Sequence, residues 1–301
     1  MRKNRKSAGG QSSSYGISFK RSPGFFILTR IIILVAVIVI LFPILYIFSL
    51  SIRTPETVYQ DTFYIIPKEA TYRNYIAAWE YAKVRLNVTF LQMFRNSVIC
   101  TVSAIILSIL FASLGSFSFS NFKFRGKELT FTTIIASYVV PPQVLLIPLF
   151  FIMKRLGILN NYLAVIFPYI GFSIPIATLI LRSFFEQIPH EIKEAAKIDG
   201  ARDMQILMRI VLPLSAPALA SCIILLFLET WNEFIYALVF LQNPEIQTIP
   251  VAIARIAGGK FRLPLGTYGA AIMITVIPVL IVFMLFQKWF IAGMTMGAVK
   301  G

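Results

Sequence analysis

Residues 194–213 of this chain read EAAKIDGARDMQILMRIVLP, a charged stretch in a sequence that is otherwise very hydrophobic. The chain has 13 Asp and Glu residues, and five of them fall in or just before this stretch: Glu186, Glu191, Glu194, Asp199 and Asp203. Long apolar runs flank it on both sides. We therefore expect a water-exposed segment between two membrane spans, placed where it can meet a partner outside the membrane.

Two short helices separated by a bend are predicted for this segment. Pro189 suits the first turn of a helix, and residues 191–199 are mostly good helix formers. Gly200 can bend the chain at low steric cost. Four apolar residues then follow at the spacing of one helix face: Met204, Leu207, Met208 and Val211. Pro213 is expected to end this second, amphipathic helix, which we expect to lie along the membrane surface.

The composition excludes a soluble globular protein, because 57% of the 301 residues are hydrophobic, only 14% are charged and the mean hydropathy is +0.78. A membrane span needs about 20 apolar residues. Six uncharged runs have sufficient length: 31–52, 96–122, 129–153, 156–181, 210–228 and 263–287. We expect the fifth run to continue past two glutamates to residue 240. The sequence predicts an all-α membrane protein with six transmembrane helices and both termini on the same side.

Charge patterning divides the chain further. Residues 1–24 are polar and basic, and they are predicted to form a disordered cytoplasmic tail, whereas residues 25–301 form the transmembrane domain with its exposed loop at 183–213. The net charge of +15 arises from Lys and Arg scattered over loops at membrane edges, which favours anchoring in the plasma membrane over binding of nucleic acid. With the N-terminus inside, 17 of the 28 basic residues lie in the cytoplasm and 11 outside.

Metal and disulfide chemistry are not indicated by the sequence. Cys100 and Cys222 both lie inside apolar runs, where buried thiols are expected. His190 is the single histidine, and no cluster of metal-ligand spacing surrounds it. We therefore predict no metal site and no cofactor bound by this chain.

The charged stretch also carries a family resemblance. Its spacing resembles the EAA loop of ABC importer permeases at seven positions: Glu194, Ala195, Ala196, Gly200, Ile210, Leu212 and Pro213. In that family the loop is the coupling helix, which docks into a cleft on a cytoplasmic ATPase. The resemblance implies a type I ABC importer fold with a cytoplasmic loop. The implied ATPase-coupling set consists of these seven residues together with Asp199 and Ala201.

Three more segments are similar to the carbohydrate, or maltose-type, members of that family. They are PKEATYRNYIAAW at 67–79, TWNEFIYALVFL at 230–241 and FQKWFIAGMTMGAVKG at 286–301. The resemblance implies a second permease chain, two ATPase subunits, an extracellular substrate-binding protein and a sugar or oligosaccharide substrate. The chain has no GxxxxGK[ST] phosphate loop, so ATP and Mg are expected in the partner ATPase and no catalytic residue in this chain.

The fifth span contains the most informative polar residues of the membrane region. Glu229, Asn232, Glu233 and Tyr236 have the spacing of one helix face. Carboxyl groups in a membrane are costly and rarely face lipid. Three roles are open for this face: helix or subunit packing, lining of a substrate path, and proton coupling.

Prolines mark the third span in a similar way. Pro141, Pro142 and Pro148, with Gln143 beside the pair, suit a kinked helix that either lines a cavity or packs.

A second class of function is a stand-alone secondary transporter or an intramembrane enzyme. A secondary transporter often has two internal repeats and more spans, and no such halves are evident. An intramembrane enzyme needs a nucleophile or metal constellation, and only the pair Glu229 and Glu233 is available. The sequence therefore favours a non-catalytic permease subunit.

Overall fold

A computed structural model describes residues 23–60, 65–258 and 264–298. The predicted basic tail lies outside these residues except for its last two positions, and so do the final three residues of the chain. The described residues form helices and no β-strand, as the all-α prediction requires.

The helices in chain order are α1 (Pro23–Ser51), α2 (Thr57–Gln60), α3 (Arg73–Leu86), α4 (Phe90–Asn121), α5 (Lys127–Ser137), α6 (Pro142–Arg155), α7 (Leu163–Phe185), α8 (His190–Ile198), α9 (Asp203–Ile206), α10 (Leu212–Leu214), α11 (Ala216–Trp231), α12 (Ile235–Phe240), α13 (Ile249–Gly258) and α14 (Leu265–Ala298). A π-helical turn, Leu207–Val211, joins α9 to α10, and a 3-10 turn, Pro244–Ile246, precedes α13. The chain divides into two compact units, of which the first ends at Tyr46 and contains most of α1.

The described residues contain six spans when each bent pair of helices is counted once. Four helices are long and apolar enough to cross a membrane: α1, α4, α7 and α14. The third span is the pair α5 and α6, bent by 96°. The fifth span contains α11, which meets the segment from α9 to α10 at a bend of 79°. The predicted number of spans is confirmed, but the third span is broken and the fifth begins at a sharp bend.

The second unit is centred on α4, which packs along α7, while α11 packs against both of them and against α14. Small residues allow this close approach: Ala104 and Ala112 of α4, Ala177 of α7 and Ala218 of α11 have no exposed surface. Ser116 Oγ of α4 also donates a hydrogen bond of 3.1 Å to the Thr178 carbonyl of α7. These contacts hold α4, α7 and α11 together as the packed centre of the second unit.

The fifth span ends earlier than predicted. The expectation of a helix reaching residue 240 is wrong, because α11 ends at Trp231 and a separate short helix, α12, begins at Ile235. The side chain of Glu233 occupies the break and accepts hydrogen bonds from the backbone N–H groups of Tyr236 and Ala237 at 2.8 and 3.1 Å. Since a side chain that satisfies free N–H groups stabilises a helix start, Glu233 begins a new helix rather than continuing α11.

The segment between α12 and α14 contains ordered structure. Ile249, Val251 and Ala252 of α13 are buried, and Asn96 of α4 donates to the carbonyls of Glu245 and Gln247 at 2.8 and 3.0 Å. The described part of this segment therefore packs on the helix bundle.

Candidate functional site

The bend at Gly200 has the geometry of a glycine helix terminator. Gly200 has a φ of +84°, which residues with a Cβ rarely adopt. Its N–H donates to the Lys197 carbonyl at 3.0 Å, and the Ala201 N–H donates to the Ala196 carbonyl at 2.9 Å. This pair of bonds is the Schellman motif, which satisfies the free carbonyls at a helix end. The predicted bend is therefore present, and its backbone conformation favours glycine.

Two lysines fix α8 to its neighbours. Lys197 Nζ lies 3.0 Å from Asp203 Oδ1, which joins α8 to α9 across the bend. Lys193 is buried, and its Nζ donates to the Phe185 carbonyl at 3.4 Å, at the end of α7. Burial lowers the pKa of Lys193, and the nearby Glu186 carboxylate opposes part of that shift.

The predicted coupling residues divide by exposure. Five are exposed: Glu194, Ala195, Asp199, Gly200 and Pro213. Four are half-buried: Ala196, Ala201, Ile210 and Leu212. The structure adds Ile198, whose side chain is 86% exposed on the same helix as Glu194. An exposed isoleucine beside exposed charged and small residues is a surface suited to a protein partner.

The second helix of the loop differs from the prediction. Leu207 and Val211 are buried, whereas Met204 and Met208 are more than half exposed, so the four apolar residues do not share one buried face. The π turn changes the helix periodicity between them. Pro213 does not end the helix either, because the chain remains helical to Leu214 and bends at Ser215.

A second candidate site is a cavity of about 760 Å³ that lies against α6, α7 and the break between α11 and α12. Its polar groups include Tyr138, Gln143, Tyr169, Glu229, Glu233 and Tyr236. The cavity therefore brings together three of the four polar residues predicted for the fifth span. Asn232 is absent from the lining, and its exposed side chain donates to the Leu228 carbonyl of its own helix at 2.8 Å.

Glu233 is the most highly connected polar side chain of this cavity. Besides the two backbone N–H groups of α12, it accepts a hydrogen bond of 2.6 Å from the Tyr169 hydroxyl. Tyr236 in turn donates to the Pro142 carbonyl at 2.6 Å, which joins α12 to α6. Glu229 has a single long contact, 3.5 Å from the Tyr138 hydroxyl. Glu233 thus holds three groups of the cavity wall by hydrogen bonds, whereas Glu229 lines the same cavity with one long contact.

Tyr138 and Tyr169 were not predicted from the sequence. Tyr169 is 64 residues from Glu233 along the chain, so no local spacing connects them. The prolines of the third span were the available signal for Tyr138, because the break before Pro142 places it at the cavity.

Comparison with known proteins gives a consistent family assignment. A family model for "binding-protein-dependent transport system inner membrane component" matches residues 104–296. The trehalose/maltose transport system permease protein MalG of Thermococcus litoralis is 33% identical over 279 residues, covering 91% of this chain and 98% of that protein. The sulfoquinovosyl glycerol transport system permease protein SmoH of Agrobacterium fabrum is 34% identical and covers 87% of this chain and 89% of that protein.

Solved structures share the fold at low sequence identity. A chain of a bacterial alginate ABC transporter, crystallised with an alginate pentasaccharide-bound periplasmic protein, aligns with a TM-score of 0.54 at 15% identity. The alignment covers 78% of this chain and 90% of that one.

Proposed function

Because this chain belongs to the family of inner membrane components of binding-protein-dependent transport systems, we propose that it moves a sugar or oligosaccharide into the cell with a second permease chain. It is a permease subunit of the ABC importer class, and the energy for transport comes from ATP bound with Mg by two partner ATPase subunits. An extracellular substrate-binding protein delivers the sugar. Both termini and the loop 183–213 lie in the cytoplasm.

The observation that carries this proposal is the exposed, rigid geometry of the loop. The Schellman motif at Gly200 and the Lys197–Asp203 ion pair fix the angle between α8 and α9. Exposed Glu194, Ala195 and Ile198 then present one charged, one small and one apolar group to a partner. In this proposal α8 docks in the ATPase cleft, and closure of the ATPases moves the spans attached to it.

The cavity supports a carbohydrate substrate. Hydroxyl, amide and carboxyl groups can hydrogen-bond to sugar hydroxyls, and the rings of Phe172 and Tyr236, 5.4 Å apart, offer an aromatic surface. The described residues of the lining include Glu229 and Glu233 but no Lys or Arg. This charge distribution favours a neutral saccharide over an anionic one.

Vesicles that contain both permease chains and the ATPases test the proposal. With wild-type protein, uptake of a labelled neutral oligosaccharide requires ATP and the binding protein. Gly200→Pro should keep the complex in the membrane yet lower uptake and binding-protein-stimulated ATP hydrolysis about tenfold, a typical size for coupling between sites. The reason is that proline fixes φ near −65° and removes the N–H that bonds to Lys197.

Gly115→Ala is the matched control, because the added Cβ meets only Phe119 Cε2 at an ordinary 3.9 Å. Normal uptake by Gly200→Pro would contradict the docking role. Uptake by the lone chain, driven by an ion gradient and independent of ATP, would instead support the secondary-transporter alternative.

A further inference from the structure

Arg182, in the last turn of α7, joins three side chains where α7 leads into the loop 183–213. Its guanidinium donates to both carboxylate oxygens of Glu128 at 3.2 and 2.9 Å, and to Glu186 at 2.7 Å. The same guanidinium lies 4.0 Å from the ring centre of Phe131. We name Glu128, Phe131, Arg182 and Glu186 the Arg182 clasp.

The Arg182 clasp has features of a strong contact even though its carboxylates are partly solvated. The Arg182 side chain is only 13% exposed, against 68% for Glu128 and 45% for Glu186. A two-point contact between arginine and a carboxylate restricts orientation as well as distance. Stacking on Phe131 adds a cation–π contact on the guanidinium face.

The clasp is a principal attachment of α5. No residue of α5 is buried, so this helix has little core packing to hold it. Glu128 and Phe131 both belong to α5, and the clasp ties them to α7; Phe131 also meets Phe119 of α4, with ring centres 5.6 Å apart. The clasp therefore connects the end of α7 to the start of α5.

The other end of α5 lies at the cavity. The helix ends at Ser137, and Ser137 and Tyr138 both line the cavity, where the Tyr138 hydroxyl lies 3.5 Å from Glu229. An 11-residue helix is a rod of about 16 Å. The chain breaks sharply just after Tyr138, so α5 can tilt without carrying α6 with it.

The coupling loop is attached to the same end of α7. Buried Lys193 of α8 donates to the Phe185 carbonyl, three residues beyond Arg182. The final turn of α7 thus contacts α8 on one side and α5 on the other.

We propose that the Arg182 clasp is the joint through which displacement of α8 tilts α5 and moves Tyr138 at the cavity wall. This inference rests on the coupling role proposed for the loop. Arg182 is then a positioning residue for transport: Glu128, Phe131 and Glu186, which it contacts in the described part of the chain, do not line the cavity, but Arg182 determines where one wall of the cavity lies.

A double-mutant cycle in the reconstituted complex tests the clasp. Glu128→Gln removes the carboxylate charge of α5 and leaves the Arg182–Glu186 pair, and Arg182→Gln removes the contacts with both glutamates. Each variant should lower the amount of sugar moved per ATP hydrolysed at least about fivefold, the lower end of typical coupling effects. The double variant should be no worse than Arg182→Gln, because both changes break the same contact.

Two further measurements separate positioning from general structural damage. The concentration of loaded binding protein that gives half-maximal uptake should stay unchanged, because the clasp lies beside the cytoplasmic loop and not at the outside surface where that protein docks, while the maximal rate falls. Arg182→Lys should resemble Arg182→Gln, because an ammonium group keeps the charge but cannot make the planar two-point contact. The control is Arg125→Gln, a change of an exposed cation in the loop before α5.

The results distinguish failure of the clasp from failure of the proposed function. A wild-type sugar-to-ATP ratio in Glu128→Gln and Arg182→Gln, in a wild-type complex that transports normally, overturns the clasp alone. Additive losses in the double variant also overturn it. If the wild-type complex takes up no sugar with ATP, the proposed function itself is wrong.

Discussion

Glu233 fixes the positions of three neighbouring groups with a single carboxylate. Two of its donors are backbone N–H groups that would otherwise be unpaired at the start of α12, and the third is the Tyr169 hydroxyl of α7. An unsatisfied buried donor costs about 1–3 kcal/mol. Glu233 therefore stabilises the start of α12 by pairing donors that would otherwise be unsatisfied.

Glu233→Gln should therefore destabilise the assembled complex. A carboxylate accepts at both oxygens, whereas an amide presents one acceptor and one donor group, so at least one of the three donors loses its partner. We expect the free energy of unfolding to fall by roughly 1–3 kcal/mol, measured by thermal melting. Glu229→Gln is the same chemical change at a site with one long contact. The free energy of unfolding of this variant should stay within about 0.5 kcal/mol of the wild-type value. Equal melting of the two variants would show that Glu233 does not hold α12.

Sequence spacing predicted one helix face for Glu229, Asn232, Glu233 and Tyr236, and the structure places all of these except Asn232 at the cavity. The prediction assumed one continuous helix, in which residues three and four apart share a face. The chain breaks at Asn232, so that residue turns away from the cavity while the others remain at it. Glu233 starts α12 through the nearby N–H groups of Tyr236 and Ala237, but the Tyr169 hydroxyl that also binds it is 64 residues away, and such a long-range partner is not visible in a local pattern.

Among the helices, α8 was predicted most closely and the segment after it least closely. The run of good helix formers and Gly200 determine α8 locally, and the structure places this helix at His190–Ile198. The π turn at Leu207–Val211 has no such local signal in the spacing of its apolar residues. Leu207 and Val211 consequently face the core, while Met204 and Met208 remain exposed.

The attachment of α8 to α7 should strengthen as pH rises. Burial lowers the pKa of Lys193 below its usual value of 10.5, so the docked helix holds this proton less tightly than the released helix. The cost of burying the charge is fully present at low pH and is relieved as pH rises through the lowered pKa, so docking gains stability in the alkaline range.

Hydrogen exchange of α8 amides, corrected for intrinsic rates, measures this effect between about pH 8 and about pH 10, below the ordinary lysine pKa. The protection of the α8 amides against exchange should rise with pH in wild-type protein. It should stay constant in Lys193→Met, which keeps the packing volume without a titrating group. Protection that falls with pH in wild type would contradict the assignment.

At the scale of the whole molecule, the composition and the uncharged runs were sufficient to predict an all-α protein with six spans. The orientation follows less directly, because the basic residues divide 17 to 11 between the two sides. The proposed orientation places α8 in the cytoplasm and α3 outside.

Cysteine labelling in intact cells tests this orientation. Cys100 and Cys222 are about 1% exposed, so they should remain unlabelled and add no signal to the experiment. Glu80→Cys on α3 should react with a membrane-impermeant maleimide from outside, and Glu191→Cys on α8 should react only in permeabilised cells or inside-out vesicles. Both positions are exposed in the structure. Labelling of Glu191→Cys in intact cells would reverse the topology and remove the ATPase contact.

The sharp break at residues 138–141 also constrains what surrounds this chain. Hydrocarbon offers no hydrogen bonds, so irregular backbone at membrane depth persists only beside protein or water. A ring of acyl chains around the protein must therefore be interrupted at this break. Any bilayer-embedded assembly of this subunit has to supply a solvated vestibule or a neighbouring polypeptide there.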